Sequence, residues 1–217
     1  MEKILLKKFK GLFINNIDRN QYGFKPKSST TSALFDIQEF ITSQLNKPSN
    51  LAVALITIDF SKAFDRIDHA LLITKLSKMT GINYNLLKWL QSYLTDRKQC
   101  VRINSTKSDP ITVTSGVPQG SSLSPYLYSL FVSDLQSRCA HLVKFADDTT
   151  YLFIIRKNNA EIDLNIIESE INNLEIWATQ NKSVINVEKS KLLYFSKNVL
   201  KNTIFQQKFA VSKHVQL

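Results

Sequence analysis

Cysteine is nearly absent. Cys100 and Cys139 are the only two in 217 residues, far apart and outside any Cys-x-x-Cys pair. That argues against a disulfide framework or a thiolate zinc site and suits a reducing compartment. The three histidines, His69, His141 and His214, are scattered and lack metal-ligand spacing. No apolar run is long enough to span a bilayer, and Met1–Lys8 lacks the apolar core of a secretory signal. The expectation is an intracellular protein of the cytoplasm or nucleus, neither secreted nor membrane-bound. The glycosylation sequons at Asn104 and Asn181 then carry no weight. Internal repeats and low-complexity tracts are missing too. Acidic residues are scarce relative to basic ones, 18 against 28, giving a net charge of +10. That imbalance fits a polyanionic partner, nucleic acid first and an anionic membrane surface second, although a merely basic protein shows it as well.

What is present is enough apolar residue, 43% hydrophobic with 21% charged, to build a core in one large or two-lobed domain. Residues 1–20 are basic and weakly amphipathic, with Ile4, Leu5, Phe9, Leu12 and Phe13 at helical spacing. Gln21-Tyr22-Gly23-Phe24-Lys25-Pro26-Lys27-Ser28-Ser29-Thr30-Thr31 reads as a turn and loop. Its amides, hydroxyls and ammonium groups suit phosphates, or simply cap the helix that follows. That helix, 30–45, sets Leu34, Ile37, Phe40, Ile41 and Leu45 on one face. Residues 51–58 form a nearly continuous apolar run, the pattern of a strand buried on both faces, and it ends at Asp59. Asp65 and Asp68 lie in a short turn before a helix start, where acids are ordinary.

Helices are predicted over 69–79 and 84–95, with Trp89 in the core. Residues 99–103 and 111–114 read as a strand pair. The loop Ser115-Gly116-Val117-Pro118-Gln119-Gly120-Ser121 follows. Its two glycines allow a backbone to approach a ligand closely, and Gln119 offers both a donor and an acceptor. Ser124-Pro125 supplies a capping hydroxyl before a first-turn proline, so a helix is expected over 125–138. A further helix over 160–180 turns Ile162, Ile166, Ile167, Ile171, Leu174 and Trp177 inward. A turn then leads to the strand 192–195.

Between these helices, residues 142–153 read as a β-hairpin with Asp147 and Asp148 at its tip. Adjacent carboxylates repel, so they are either a solvated turn or a site for a hard cation such as Mg²⁺. Asp59, at the end of its own strand, supplies a third carboxylate. Three carboxylates from two strands can hold two Mg²⁺ ions about 3.5–4 Å apart, the arrangement used for in-line phosphoryl displacement.

The ordered set Gln-Tyr-Gly-Phe, Ile-Asp-Phe-Ser-Lys-Ala-Phe-Asp, Gly-Val-Pro-Gln-Gly-Ser, Phe-Ala-Asp-Asp and Asn-Val-Glu-Lys-Ser resembles a reverse transcriptase. Its wording is most similar to non-LTR retrotransposons of the LINE or jockey type, over about residues 18–196. The resemblance implies an α/β (α+β) right-hand polymerase palm with partial fingers, its mostly antiparallel sheet backed by helices. It implies RNA-directed DNA polymerisation from dNTPs onto a DNA primer along an RNA template, with two Mg²⁺ ions and Mn²⁺ as substitute; protein partners stay unspecified. Asp59, Asp147 and Asp148 match the catalytic metal-binding aspartates, with the carbonyl of Phe60 as an extra ligand. Phe64 matches the residue beneath the incoming sugar, where its ring excludes a 2′-hydroxyl, or else is simply core. Gln119 and Gly120 match the loop that contacts nucleotide and template. Lys189 matches the lysine that protonates pyrophosphate, with Lys191 its competitor. Lys25 stands where many relatives carry arginine, giving a point charge without the bidentate fork.

Roughly 20 residues precede the first of these motifs and roughly 20 follow the last strand. The expected organisation is a basic segment with partial fingers over 1–20, a reverse transcriptase domain over 21–196, and a tail over 197–217 that begins a thumb. The chain reads as a truncated element copy or a partial gene. The alternative function is therefore an inactive remnant that only binds nucleic acid.

Overall fold

The computed structural model describes residues 2–197, and the tail from 198 onward lies outside the described residues. In chain order the elements are α1 (Glu2–Asn16), α2 (Thr30–Leu45), β1 (Asn50–Ile58), α3 (His69–Ser77) and α4 (Tyr84–Leu94). The short strands β2 (Lys98–Gln99), β3 (Arg102–Ile103), β4 (Thr106–Lys107) and β5 (Ile111–Thr112) follow, then α5 (Ser124–Phe131). The last four are β6 (His141–Phe145), β7 (Asp148–Arg156), α6 (Ala160–Gln180) and β8 (Lys191–Phe195). They fall into two compact units. One takes the chain up to Asp18 together with Lys62–Asp134; the other takes Arg19–Ser61 and the chain from Leu135 onward.

The second unit is built on a four-stranded sheet of order β6-β7-β1-β8, every neighbouring pair antiparallel. The apolar run of β1 is explained by what covers it. On one face α2 packs Ala33 and Ile41 against Val53, Leu55, Val143 and Leu152. On the other, Ile56 and Ile58 of β1 line one small cavity with Tyr151, Phe153, Ile171 and Leu174 of β7 and α6. A strand covered twice cannot alternate apolar with polar. The Lys-Ser-Thr loop ends in a capping box: Ser29 accepts from the Ser32 amide while the Ser32 side chain answers the Ser29 backbone.

The first unit is helical. Phe13, Leu72, Leu76, Leu90, Leu94, Leu127 and Leu130 of α1, α3, α4 and α5 are fully or almost fully buried. Asp68 caps α3 by accepting from the Leu71 amide, which bears out its structural reading.

Several expectations need correction. Residues 99–103 and 111–114 do not form one ladder: Lys98–Gln99 pair with Ile111–Thr112, while Arg102–Ile103 fold back on Thr106–Lys107. Helix α5 stops at Phe131, not 138, and its N-cap is Leu123. The Ser124 hydroxyl is inside the helix and donates to the Pro118 carbonyl, so it holds the preceding loop instead of capping. Trp89 is half-buried and stacks on Tyr93 at 5.3 Å, not in the core. Leu34 and Ile162 point outward. In α6 the inward position next to Ile162 belongs to Asp163, whose carboxylate accepts from the Arg156 amide and guanidinium. A buried carboxylate with charged and backbone donors outcompetes an isoleucine for that site.

Candidate active site

Asp59 follows β1 directly, and β1 is registered against β7 so that Ile58 faces Thr149. One step further along the same antiparallel register sets Asp59 beside Asp148. Asp148 opens β7 and closes a two-residue turn opposite Phe145. The turn is Ala146-Asp147, and Ala146 has φ +56, the sign that tight turns joining two strands demand. All three aspartates thus meet at one end of one sheet, in one unit.

Their electrostatics record the crowding. Asp148 is exposed over much of its surface, yet its pKa is raised. Partial burial is the first cause, the charge of Asp147 the second and that of Asp59 the third. Three neighbouring carboxylates, two of which oppose the ionisation of Asp148, are a hard-oxygen donor set for a divalent cation. Among the described residues, no three His, Cys, Asp or Glu side chains already converge on one point as a metal group would require. The charge and chemistry of the three carboxylates fit a divalent ion.

The raised pKa has a consequence for stability. Because folded Asp148 holds its proton more tightly than an unfolded aspartate, folding is disfavoured by its charge above that raised value and favoured as pH falls through it. Asp148→Asn is therefore expected to raise Tm at pH 7 by a small amount, exposure screening the repulsion. The gain should shrink to nothing as melts are repeated down to about pH 4. A Tm that falls at pH 7 would mean that Asp148 is held by favourable contacts.

The neighbouring candidates are positioned as follows. Phe60 is buried, bridges Ile185 and tilts against Trp177 at 5.9 Å, so its ring is core and only its backbone is offered to the site. The Asp59 amide donates to Ser190 Oγ, and the Asp59 carbonyl accepts from Asn186, which ties the Asn-Val-Glu-Lys-Ser turn to the first aspartate. Lys189 is exposed in that turn, while the Lys191 ammonium donates to the Glu188 carbonyl. Lys25 is half-buried in the capping loop.

Phe64, Gln119 and Gly120 belong to the helical unit. There the segment 64–69 and the loop 115–119 are stitched together. The Val117 amide donates to the Phe64 carbonyl, and the Gly116 amide to the Ile67 carbonyl. Ser115 Oγ donates to the Asp65 carbonyl, and Gln119 Nε2 to Asp65 Oδ1 at 2.9 Å. The Phe64 ring is half-buried and stacks on Tyr128 with centroids 4.5 Å apart. Beside this clamp lies an open groove of about 700 Å³ whose lining includes Lys62, Arg97, Lys98, Asp65 and Gln119.

Sequence reasoning passed over Gln21. Its side chain is 1% exposed and holds both backbone polar groups of Ala146, the first residue of the aspartate turn. Oε1 accepts from the Ala146 amide at 3.0 Å and from the Gly23 amide at 2.8 Å, and Nε2 donates to the Ala146 carbonyl at 3.1 Å. The available signal was the Gln-x-Gly spacing itself. A Cβ on Gly23 would stand 2.3 Å from the Ala146 nitrogen, so glycine is required for the approach.

An antiparallel palm sheet with acids at the end of its central strand and at the tip of the adjoining hairpin defines a nucleotidyl-transfer polymerase fold. The sequence profile of the reverse transcriptase (RNA-dependent DNA polymerase) family matches residues 1–210, and the chain belongs to that family. The family generally uses divalent metal ions. Among curated relatives, a probable RNA-directed DNA polymerase from transposon BS of Drosophila melanogaster is 34% identical over 62% of this chain and 15% of its own length. The RNA-directed DNA polymerase from mobile element jockey of the same species is 26% identical over 83% of this chain and 20% of its own. The chain thus spans about a fifth or less of these relatives. Among solved structures, telomerase from Candida tropicalis, in complex with a fragment of telomeric RNA, superposes over 88% of this chain and 33% of its own. The TM-score is 0.61 at 17% identity, a likeness of fold. No helix among the described residues is long and apolar enough to cross a membrane.

Proposed function

We propose that the chain carries the catalytic palm of a non-LTR retrotransposon reverse transcriptase, extending a DNA primer with dNTPs along an RNA template. The observation that carries this is the strand register that sets Asp59 beside Asp148 at the tip of the Phe-Ala-Asp-Asp hairpin. Asp59, Asp147 and Asp148, with the Phe60 carbonyl, would hold two Mg²⁺ ions, or Mn²⁺. When bound, these lower the pKa of the primer 3′-hydroxyl and stabilise charge on the phosphate oxygens. The new bond joins the 3′-oxygen to the α-phosphorus; the bond to the β-phosphate oxygen breaks, and pyrophosphate leaves with its electron pair.

Lys189 is the side chain assigned to protonate that leaving group, a reading supported by its exposure and by the engagement of the Lys191 ammonium with Glu188. Lys25 is assigned to phosphate, and Gln119 and Gly120 to nucleotide and template. The cationic lining of the groove beside Gln119 supports a polyanion there. Phe64 is assigned the sugar. Its ring is braced by Tyr128 and so forms a fixed wall, not a yielding one. Phe64→Val is expected to raise ribonucleotide use relative to deoxyribonucleotide use by about tenfold or more, read as the ratio of kcat/KM values. An unchanged ratio would return Phe64 to the core.

The test is Mg²⁺-dependent dNTP incorporation on poly(rA)–oligo(dT), with and without EDTA. Incorporation that EDTA abolishes supports the polymerase. Salt-sensitive binding without incorporation selects the inactive remnant.

A further inference from the structure

The Gln-Tyr-Gly segment and the aspartate turn are far apart in sequence yet joined by several hydrogen bonds. The Lys144 amide donates to the Asn20 carbonyl, and the Tyr22 amide to the Lys144 carbonyl, both at 2.8 Å. Gln21 therefore forms a single parallel bridge with Lys144 on β6, the outer edge of the sheet. The Gln21 side chain then continues that pairing past the end of the strand. Its amide group presents to Ala146 one acceptor and one donor, as a further backbone residue would. A left-handed φ costs a non-glycine residue about 1–2 kcal/mol and persists only where the surroundings determine it. At Ala146 both backbone polar groups are held by the one buried side chain.

We propose that Gln21 is a positioning residue: its amide locks the Ala146 turn and thereby fixes the backbone from which Asp147 and Asp148 project. The proposal deepens the polymerase reading and rests on it for its catalytic consequence. The side-chain requirement is specific. Glutamine alone combines this reach with a donor and an acceptor in one planar group; glutamate keeps the acceptor for Ala146 and Gly23 but leaves the Ala146 carbonyl without its donor. A second contact guards the same element, since Tyr22 Oη donates to Asp36, which also meets His141 at the start of β6. The clasp is therefore one end of a continuous seam along β6. An edge cover alone would need only the backbone bonds of residues 20–22. The buried amide aimed at the turn goes beyond that.

The test uses the 217-residue chain as wild type, Gln21→Ala, Gln21→Glu and Gly23→Ala. Three quantities are read: amide hydrogen exchange over residues 145–148, Mn²⁺ affinity by calorimetry, and single-nucleotide primer extension with kcat and KM separated. Gln21→Ala should speed exchange in this segment about tenfold or more and weaken Mn²⁺ binding. It should lower kcat between about ten- and a hundredfold, with KM for dNTP changed less than about twofold. Gln21→Glu should fall between Ala and wild type. It is the variant to read if Gln21→Ala fails to fold. Gly23→Ala should reproduce the exchange effect by pushing the same contact apart.

Unchanged exchange in Gln21→Ala overturns the proposal. So does faster exchange with Mn²⁺ affinity and kcat unaltered, which would leave Gln21 as an edge cover. If the wild type binds Mn²⁺ but incorporates nothing, the polymerase reading fails while exchange and Mn²⁺ affinity still decide the clasp. If the wild type binds no Mn²⁺, the positioning claim falls.

Discussion

Asp147→Ala is expected to lower Mg²⁺-dependent incorporation by a factor on the order of 10³ or more, with Tm unchanged or slightly raised. The two halves of that expectation separate function from folding. Asp147 occupies the second position of a two-residue turn and is half-exposed, so truncating it opens no cavity. Its charge is one of the causes that hold the Asp148 pKa up, so its loss relieves repulsion instead of breaking a stabilising pair. Most substitutions that abolish an activity by unfolding lower Tm; this one should not. Primer extension and a thermal melt on the same preparation check it. Full activity in the mutant would remove Asp147 from the site, and a collapse of Tm would make it structural.

Gly116→Ala should lower stability by on the order of 2–4 kcal/mol, or about 5–15 °C in Tm. Gly116 sits at φ +85, and a Cβ there would stand 2.7 Å from the Asp65 carbonyl oxygen and 2.8 Å from the Asp65 Cα. These are backbone atoms that cannot swing aside. The strain falls on the stitched segments that carry Phe64 and Gln119, since the Gly116 carbonyl also meets His69 Nε2 at 2.7 Å. Gly120→Ala supplies the comparison. Its φ is +77 but nothing lies within 4 Å, so it should cost only the backbone preference, about 1–2 kcal/mol. Denaturant or thermal melts of the two variants test the contrast. Equal losses would show that the close approach at Asp65 relaxes freely.

Strand β1 and the aspartate hairpin were legible because their physics is local and dense. A run of β-branched and apolar residues ending in an acid, and two such runs flanking Asp147-Asp148, leave few alternatives. Helices α2 and α6 followed from periodicity, but which residues face inward did not. Leu34 and Ile162 fit the period and still point outward, and a carboxylate, Asp163, takes a buried place because Arg156 meets it there. The end of α5 was overrun because Val132, Ser133 and Asp134 are all tolerated in helices. There the Ser133 hydroxyl donates back to the Ser129 carbonyl as the helix closes. Gln21 was invisible as an individual because a buried glutamine held by three hydrogen bonds and a surface one have the same letter. Only its partner 125 residues away distinguishes them. The grouping of Phe64 with Gln119 was legible only as motif order, whereas their hydrogen-bonded clamp needed coordinates.

The interleaving of the two units sets an order of events during synthesis. Strand β1, the most thoroughly apolar of the sheet, leaves the ribosome before either of its neighbours, since β7 and β8 both lie later in the chain. Until residue 148 has emerged, Asp59 ends a strand with two open edges, the form most prone to pairing with another chain. Any product that stops inside the helical unit would then be an aggregation hazard with one lone carboxylate. The whole later segment of the helical unit, Lys62–Asp134, is made in that interval.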